Sequence, residues 1–327
     1  MFTLSKIAKL ANVSVSTASK AFSMSHEVSE ETRAIIFDIA KENGCFKKFF
    51  NAKYPKLVIA VICPEFESLY YATILSHLQT RLEERGCEIC VATTQFSTER
   101  GRELMEYYSN YTSVDGVILV DAASALEAES SIPTVCLGNA KNGATRVSTS
   151  RQNAIEAAVD YFIERGVRDI GFLGEKLTAS KQKSFCKILE DRLGGYNESF
   201  IGVGERFFEG GYNTTLRMIK ENRLPRALIC AYDYLAIGAM RCLFDNGYRV
   251  PEDVAVLGMD DIPEARYLNP PLSSISSNLG DACAVATETL INMLMGKPYN
   301  QNTVINGTLH LRRSCEIGEN YDKADNC

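Results

Sequence analysis

Thr3-Leu4-Ser5-Lys6-Ile7-Ala8-Lys9-Leu10-Ala11-Asn12-Val13-Ser14-Val15-Ser16-Thr17-Ala18-Ser19-Lys20 reads as two helices joined by a turn. Leu4, Ile7, Ala8 and Ala11 fall at i, i+3, i+4 and i+7, one face of a helix. Thr3 stands where it can cap that helix. Asn12-Val13-Ser14 breaks it, because Asn tolerates the left-handed backbone of a tight turn. Ser14 can cap a second helix, whose spacing turns Val15, Ala18 and Phe22 inward and Ser16, Thr17, Ser19 and Lys20 outward. A pair of this kind fits a helix-turn-helix, in which the second helix enters the major groove. Hydroxyls can bond phosphates or base edges, Lys can donate to guanine, and the outward face carries no acid for phosphate to repel. The same pattern also fits a small helical bundle with a solvated polar face.

Outward from this stretch, a third helix is expected after Ser29. Glu30 and Glu31 lie in its first turn, where the helix dipole favours acids. Ile35, Ile36, Ile39 and Ala40 form its apolar face, and Asn43-Gly44 ends it. Residues 1–56 hold nine basic and five acidic residues, a surplus of four positive charges. The whole chain of 327 residues is at −6, so the other 271 residues carry −10. A basic module precedes an acidic body, and the total charge misleads about a nucleic-acid partner.

The body alternates apolar, strand-like runs with amphipathic helices. Strands are expected at 57–63, 88–94, 116–120, 133–137, 169–173, 200–203, 227–231, 254–258 and 273–276. Helices are expected at 72–85, 99–110, 152–165, 180–193, 210–222, 234–246 and 281–295. This alternation predicts parallel sheets of βαβ units in two similar lobes. The longest apolar run, Leu57 to Cys63, is too short to span a bilayer, and Met1-Phe2-Thr3-Leu4-Ser5-Lys6 does not read as a secretion signal. A cytoplasmic protein with no membrane partner is expected. Cys87 and Cys90 have CxxC spacing but no second pair and no nearby His, so a zinc site is not expected.

The opening string resembles the DNA-binding headpiece of the lactose repressor (LacI/GalR) family. Val28-Ser29-Glu30-Glu31-Thr32-Arg33 is similar to the start of that family's third helix. Further landmarks follow in order: Ala236-Ile237-Gly238-Ala239, Val250-Pro251-Glu252-Asp253-Val254, Gly258-Met259-Asp260-Asp261-Ile262-Pro263, Asn269-Pro270-Pro271-Leu272 and Leu311-Arg312-Arg313-Ser314. The resemblance implies an α/β fold: a three-helix helix-turn-helix headpiece, then a two-lobed, doubly wound, periplasmic-binding-protein-like body. The expected divisions are a headpiece at 1–45, a short hinge at 46–56 and a body at 57–327. The lobes are expected as 57–160 with 280–305, and 161–279 with 306–320, crossing near 158–162 and 278–283.

Function follows from the same resemblance. It implies a homodimeric transcriptional regulator, a repressor, on a palindromic double-stranded DNA operator, controlled by a small polar, sugar-like effector in the cleft between lobes. Val15, Ser16 and Lys20 map onto base-reading positions, and Thr17 and Ser19 onto backbone-contacting ones. Thr3 and Ser14 join them as candidate DNA contacts. The family more often has Arg or His where this chain has Lys20. The family's hinge helix wedges a Leu into the minor groove, but here the link is shorter and has no Leu before Leu57. Lys47, Phe49, Phe50 and Lys53 are the hinge candidates, with Phe49 or Phe50 as wedge or the segment as a basic linker contacting phosphate only. In the cleft, the resemblance assigns Tyr70 and Tyr71 to stacking, Lys181 to a clamp often filled by Arg, and Asp233 and Asp260 to polar contacts. Tyr232 replaces a common Asn, and Leu137-Gly138-Asn139 replaces a stretch that usually carries Asp. Asp260-Asp261 could equally cap the turn after a strand.

Two other classes compete with the regulator. An enzyme is disfavoured, because Gly202-Val203-Gly204-Glu205-Arg206-Phe207 lacks the third Gly of a dinucleotide loop and the three His are far apart in sequence. A solute-binding protein lacking a regulatory role fits poorly with the basic N-terminal helices. No cofactor, metal or catalytic residue is expected.

Overall fold

Three capped helices build the N-terminal unit. In α1 (Leu4–Leu10), Thr3 accepts from the Lys6 N–H. In α2 (Val15–Phe22), Ser14 Oγ accepts from the Thr17 N–H at 2.9 Å. In α3 (Glu30–Glu42), Ser29 does the same for Thr32. Each cap partners an amide that the first helical turn leaves free. Asn12 takes φ 52, as the tight turn requires, and Gly44 takes φ 63 after the Asn43 C-cap. Ile7, Ala21, Phe22, Val28, Ile36 and Ala40 form the core.

Two inward assignments are corrected. Val15 is 46% exposed, because the first residue of α2 overhangs the core and Ala21 fills the place beside Ala18 and Phe22. Ile35 is 54% exposed, at the edge of the buried stripe of α3. The hinge expectation changes as well. Phe46–Phe49 forms a single helical turn, α4. Its Phe49 ring lies 5.8 Å from Phe22 and packs against the headpiece core, so Phe49 is not a free wedge.

The computed structural model describes residues 2–49, 56–121, 132–138 and 144–318. Phe50 and Lys53 therefore lie outside the described residues, as does the side chain of Lys47. The chain divides into two units, Met1–Leu57 and Val58–Cys327.

The second unit holds two six-stranded sheets. The first contains β1 (Leu57–Cys63), β2 (Cys87–Thr93), β3 (Gly116–Val120), β4 (Thr134–Leu137), β5 (Arg146–Ser150) and β11 (Asn302–Asn306), in the order β11-β5-β4-β3-β1-β2. The second contains β6 (Ile170–Glu175), β7 (Ile201–Gly204), β8 (Ala227–Cys230), β9 (Ala255–Met259), β10 (Ser273–Ser276) and β12 (Thr308–His310), in the order β12-β10-β9-β8-β6-β7. The two orders are the same doubly wound pattern, with β12 antiparallel to β10. Helices α5 (Leu69–Glu84) and α11 (Leu279–Leu294) pack together in the first lobe. Helices α7 (Gln152–Glu164), α8 (Ala179–Leu193), α9 (Phe207–Lys220) and α10 (Asp233–Asp245) pack on the second. The remaining helix, α6 (Thr98–Asn110), buries Leu104, Met105 and Tyr108 against the first sheet.

Strands β5, β11 and β12 lie outside the segments that the sequence marks as strands. β5 and β11 are polar segments with few buried residues, so no apolar run marks them. The first lobe crossing also differs from expectation. Ala154, Ile155, Ala158, Val159 and Phe162 of α7 all sit in the second lobe's core, so the chain changes lobe at 150–152 and not at 158–162. The other crossings fall at Ser277-Asn278 and Gly307.

The crossings are tied together. Arg151 Nε donates to Ser277 Oγ at 2.7 Å, and the Gly307 N–H donates to the Ser150 carbonyl at 2.7 Å. Asn278 Nδ2 donates to the Asn306 carbonyl at 2.7 Å and to Thr308 Oγ1 at 3.0 Å. A Cβ at Gly307 would stand 2.7 Å from the Ser276 carbonyl oxygen. Gly307→Ala is therefore expected to destabilise the body by about 1–3 kcal/mol, as overpacking does. Calorimetry of the full chain would show this as a lowered melting temperature.

Candidate functional site

The exposed edge of α2 is one candidate site. Ser16 and Ser19 are solvent-facing, and Val15 projects from the N-terminus of the helix. Ser14 Oγ also lies 2.8 Å from Thr17 Oγ1, so both hydroxyls serve the cap while remaining at the surface. Thr3 Oγ1 likewise serves the cap of α1, with the Lys6 amide at 3.4 Å. Lys20 is paired with Glu27, in the loop after α2. Arg33 anchors that loop by donating to the carbonyls of Ser25 and Val28, at 2.7 and 3.0 Å.

The second candidate is a cavity of about 400 Å³ in the body. It is lined by residues just beyond the carboxyl ends of strands in both sheets, where ligands sit in doubly wound folds. Tyr70, Tyr71, Phe96 and Asp121 come from the first lobe, and Lys181, Arg206, Phe207, Tyr232 and Asp260 from the second. Arg151 reaches in from the first crossing. Phe96, Asp121, Phe207 and Asp260 all have positive φ, at 60, 46, 62 and 101°. Backbone strain of this kind collects at binding sites, where surrounding structure holds it in place.

Of the effector residues expected from sequence, Tyr70, Tyr71, Lys181, Tyr232 and Asp260 come together here. The two tyrosine rings meet edge to face at 5.1 Å. Lys181 Nζ donates to the Ala231 carbonyl at 2.6 Å. Burial pushes its ammonium down to about 8, with Arg151 adding to the effect and Asp260, Asp121 and Asp233 opposing it. The Tyr232 hydroxyl accepts from the Phe207 N–H at 3.0 Å and so braces that strained residue.

Asp233 is corrected. It is 1% exposed and does not line the cavity. Its Oδ1 accepts from Ser274 Oγ at 2.6 Å and its Oδ2 from the Ile262 N–H at 2.8 Å. Burial, and next Asp260, raise its carboxyl well above the usual range. It is a buried tie between the start of α10, β10 and the loop after β9.

Sequence reasoning missed Arg151, Asp121, Phe96, Phe207 and Arg206. The Arg151 guanidinium lies 5.7 Å from the Tyr70 ring centroid and bonds the Tyr70 hydroxyl, with Nη2 3.6 Å from Asp260 Oδ1. Arg206 forms a two-pronged pair across the cleft with Glu65, at 3.0 and 2.5 Å, and stacks between Phe96 and Phe207. Asp121 is open to the cleft and bonded by the Tyr71 hydroxyl, while the surrounding walls desolvate its carboxyl and raise it. A strand's carboxyl end was the available signal for Asp121, which directly follows β3. Nothing local marks Arg206, whose partner is 141 residues away.

A second hollow, of about 440 Å³, lies by Arg168, Leu193, Tyr196 and Phe200 at the opposite strand ends. None of its lining residues has an unpartnered buried polar atom. Among the described residues no group of three metal-binding side chains occurs. No helix there is long and apolar enough to cross a membrane.

Comparison with known proteins finds relatives of both units. Residues 3–44 match the bacterial regulatory proteins of the lacI family, and residues 159–315 match the periplasmic binding protein-like domain. The HTH-type transcriptional repressor PurR of Salmonella paratyphi A is 28% identical over 321 residues, covering 92% of each chain. Among solved structures, a lac repressor dimer bound to operator and the anti-inducer ONPF has a TM-score of 0.74 at 21% identity, covering 96% of this chain and 98% of that one. The transcriptional regulator CelR in complex with cellobiose has a TM-score of 0.68 at 24% identity, covering 96% and 100%.

Two outcomes are expected. Asp233→Ala strips partners from the Ser274 hydroxyl and the Ile262 N–H and costs about 1–3 kcal/mol, read as a lower denaturation midpoint. Arg206→Ala removes the tie between lobes, and faster hydrogen exchange is expected in the segments around Glu65 and Phe207. Unchanged exchange there would show that the pair does not hold the cleft closed.

Proposed function

We propose, since this chain belongs to the lacI family of bacterial regulatory proteins, that it binds a palindromic operator as a homodimer and that a small polar effector in the cleft sets its affinity for DNA. The chain is a DNA-binding transcriptional regulator with an effector-binding body, and not an enzyme. The observation that carries the reading is the joining of two parts in one chain. A capped helix-turn-helix leaves Val15, Ser16 and Ser19 exposed on its second helix, and a two-lobed body encloses a polar and aromatic cavity.

Val15, Ser16 and Lys20 are the base-reading candidates, and Thr17 and Ser19 the backbone contacts. Thr3 and Ser14 act first as caps that fix the helix ends, and they contribute to binding by holding α1 and α2 in place. Lys20 has to exchange Glu27 for a base or a phosphate. That exchange costs little, since an exposed ion pair is worth roughly 0–1 kcal/mol. Homodimerisation is supported by symmetry, because two headpieces on one dimer read two half-sites of a palindrome. The lac repressor neighbour is itself a dimer bound to operator, and the CelR neighbour is in complex with cellobiose. A sugar-like effector is consistent with the hydroxyls and rings that line this cavity.

Selection of bound fragments from genomic DNA tests the operator. Recovery of a palindromic motif is expected, and recovery of none at all would refute the reading. On a recovered site, Lys20→Ala is expected to cost about 1–3 kcal/mol, more than on random DNA. Shift assays at two salt concentrations separate the two losses, since a phosphate contact lowers the salt slope and a base contact does not.

A further inference from the structure

We propose that the effector of this chain carries a protonated amino group on a small ring, of which an amino sugar is the simplest form, and that Asp121 is its counter-ion. This rests on the cleft being the effector site.

Two buried atoms of the described cleft residues lack a partner, the acceptor Asp260 Oδ1 and the donor Arg206 Nε, and of their two side chains only Arg206 is already fixed by a two-bond ion pair. Asp260 lines the cavity with its side chain 10% exposed, and no hydrogen-bond donor reaches its Oδ1. A buried acceptor left this way favours a ligand that brings a donor. Asp121 is the second acceptor, open to the cleft and holding one bond from the Tyr71 hydroxyl. Its carboxylate occupies the room that Gly138 leaves, because a Cβ at Gly138 would stand 2.1 Å from Asp121 Oδ1. A side chain at 138 would exclude the carboxylate from this position, so the glycine and the acid act together.

The cations of the cleft are already engaged. Arg206 is neutralised by Glu65 through two bonds. Arg151 serves Ser277 and Tyr70 as well as facing Asp260. Lys181 is bound to the Ala231 carbonyl, and burial weakens its hold on its proton. Burial disfavours charge on Asp121, the neighbouring Arg151 and Lys181 offset part of that, and Asp260 adds to it. Around them stand the rings of Tyr70, Tyr71, Phe96, Phe207 and Tyr232. Aromatic faces attract an ammonium, and an ammonium offers three donors and no acceptor. An anionic ligand would instead meet the carboxylates of Asp121 and Asp260, with Arg206 held by Glu65 and with Arg151 and Lys181 already bonded to Ser277 and to the Ala231 carbonyl.

The test uses the full chain and ring compounds in matched sets: the polyol, its free amine and its N-acetyl form, with glucose, glucosamine and N-acetylglucosamine as one set and their epimers as others. Binding is read by calorimetry. The expected result is that the tightest ligands are free amines. The best of them should lose at least about tenfold in affinity on N-acetylation, as removal of a charge-assisted bond implies. A comparable loss is expected in Asp121→Asn. Should that variant fail to fold, the comparison of amine with N-acetyl form on the unaltered chain still decides. Tighter binding of polyols or N-acetyl forms than of their amines would overturn the amine assignment and leave the cleft as effector site. Absence of binding by every compound of every set overturns the amine assignment itself, and displacement of any other small molecule from the cleft would then show whether the effector reading stands without it.

Discussion

The body depends on the junction where the chain passes three times between its lobes. Arg151 closes the first passage onto the second through Ser277, and Gly307 in the third passage bonds back to Ser150. These bonds lie between residues more than a hundred positions apart, so they form only when both sheets are assembled. Arg151 also faces the cavity, over Tyr70 and beside Asp260. A single guanidinium thus joins the joint between lobes to the site that the lobes enclose. Any molecule that changes the surroundings of Asp260 acts on a group bonded directly into that joint.

A second tie operates at the mouth of the cleft. Glu65 and Arg206 hold the lobes face to face, and the flanking Phe96 and Phe207 rings shield the pair. A pair partly removed from water is electrostatically stronger than an exposed one, but each partner becomes costly to leave alone. Such a tie suits a two-position device, because opening the cleft forfeits both bonds together. The strained backbone at Phe207 adjoins this pair and is braced by the Tyr232 hydroxyl, which accepts from its amide. Tyr232 therefore acts on the cleft through backbone geometry as well as through its ring.

The headpiece depends on different physics. Its core is small, and much of it comes from aromatic contacts that draw Phe37, Phe46 and Phe49 around Phe22. That recruitment takes Phe49, one of the run of phenylalanines after α3 that suggests a wedge, into the headpiece core. Rings that look free in sequence include one that the headpiece core uses. Val15 misleads for a related reason. Periodicity assigns a face to every residue of a helix, but the first residue extends past the partner helices and keeps its exposure.

By itself the sequence determined what local chemistry controls. The caps at Thr3, Ser14 and Ser29, the left-handed Asn12, the basic headpiece and the apolar strands of both sheets are legible because each follows from a few neighbouring residues. The ordered motifs likewise carried the family. Tertiary structure alone decided the rest. Polar β5 and β11 become strands because the first sheet supplies their partners, and α7 joins the second lobe because its apolar face meets that core. Asp233 changes from a cleft residue to a buried tie because Ser274 and Ile262 reach it. Arg151 and Arg206 find partners 126 and 141 residues away, and Asp121 meets Gly138 only because β3 and β4 lie side by side in the sheet.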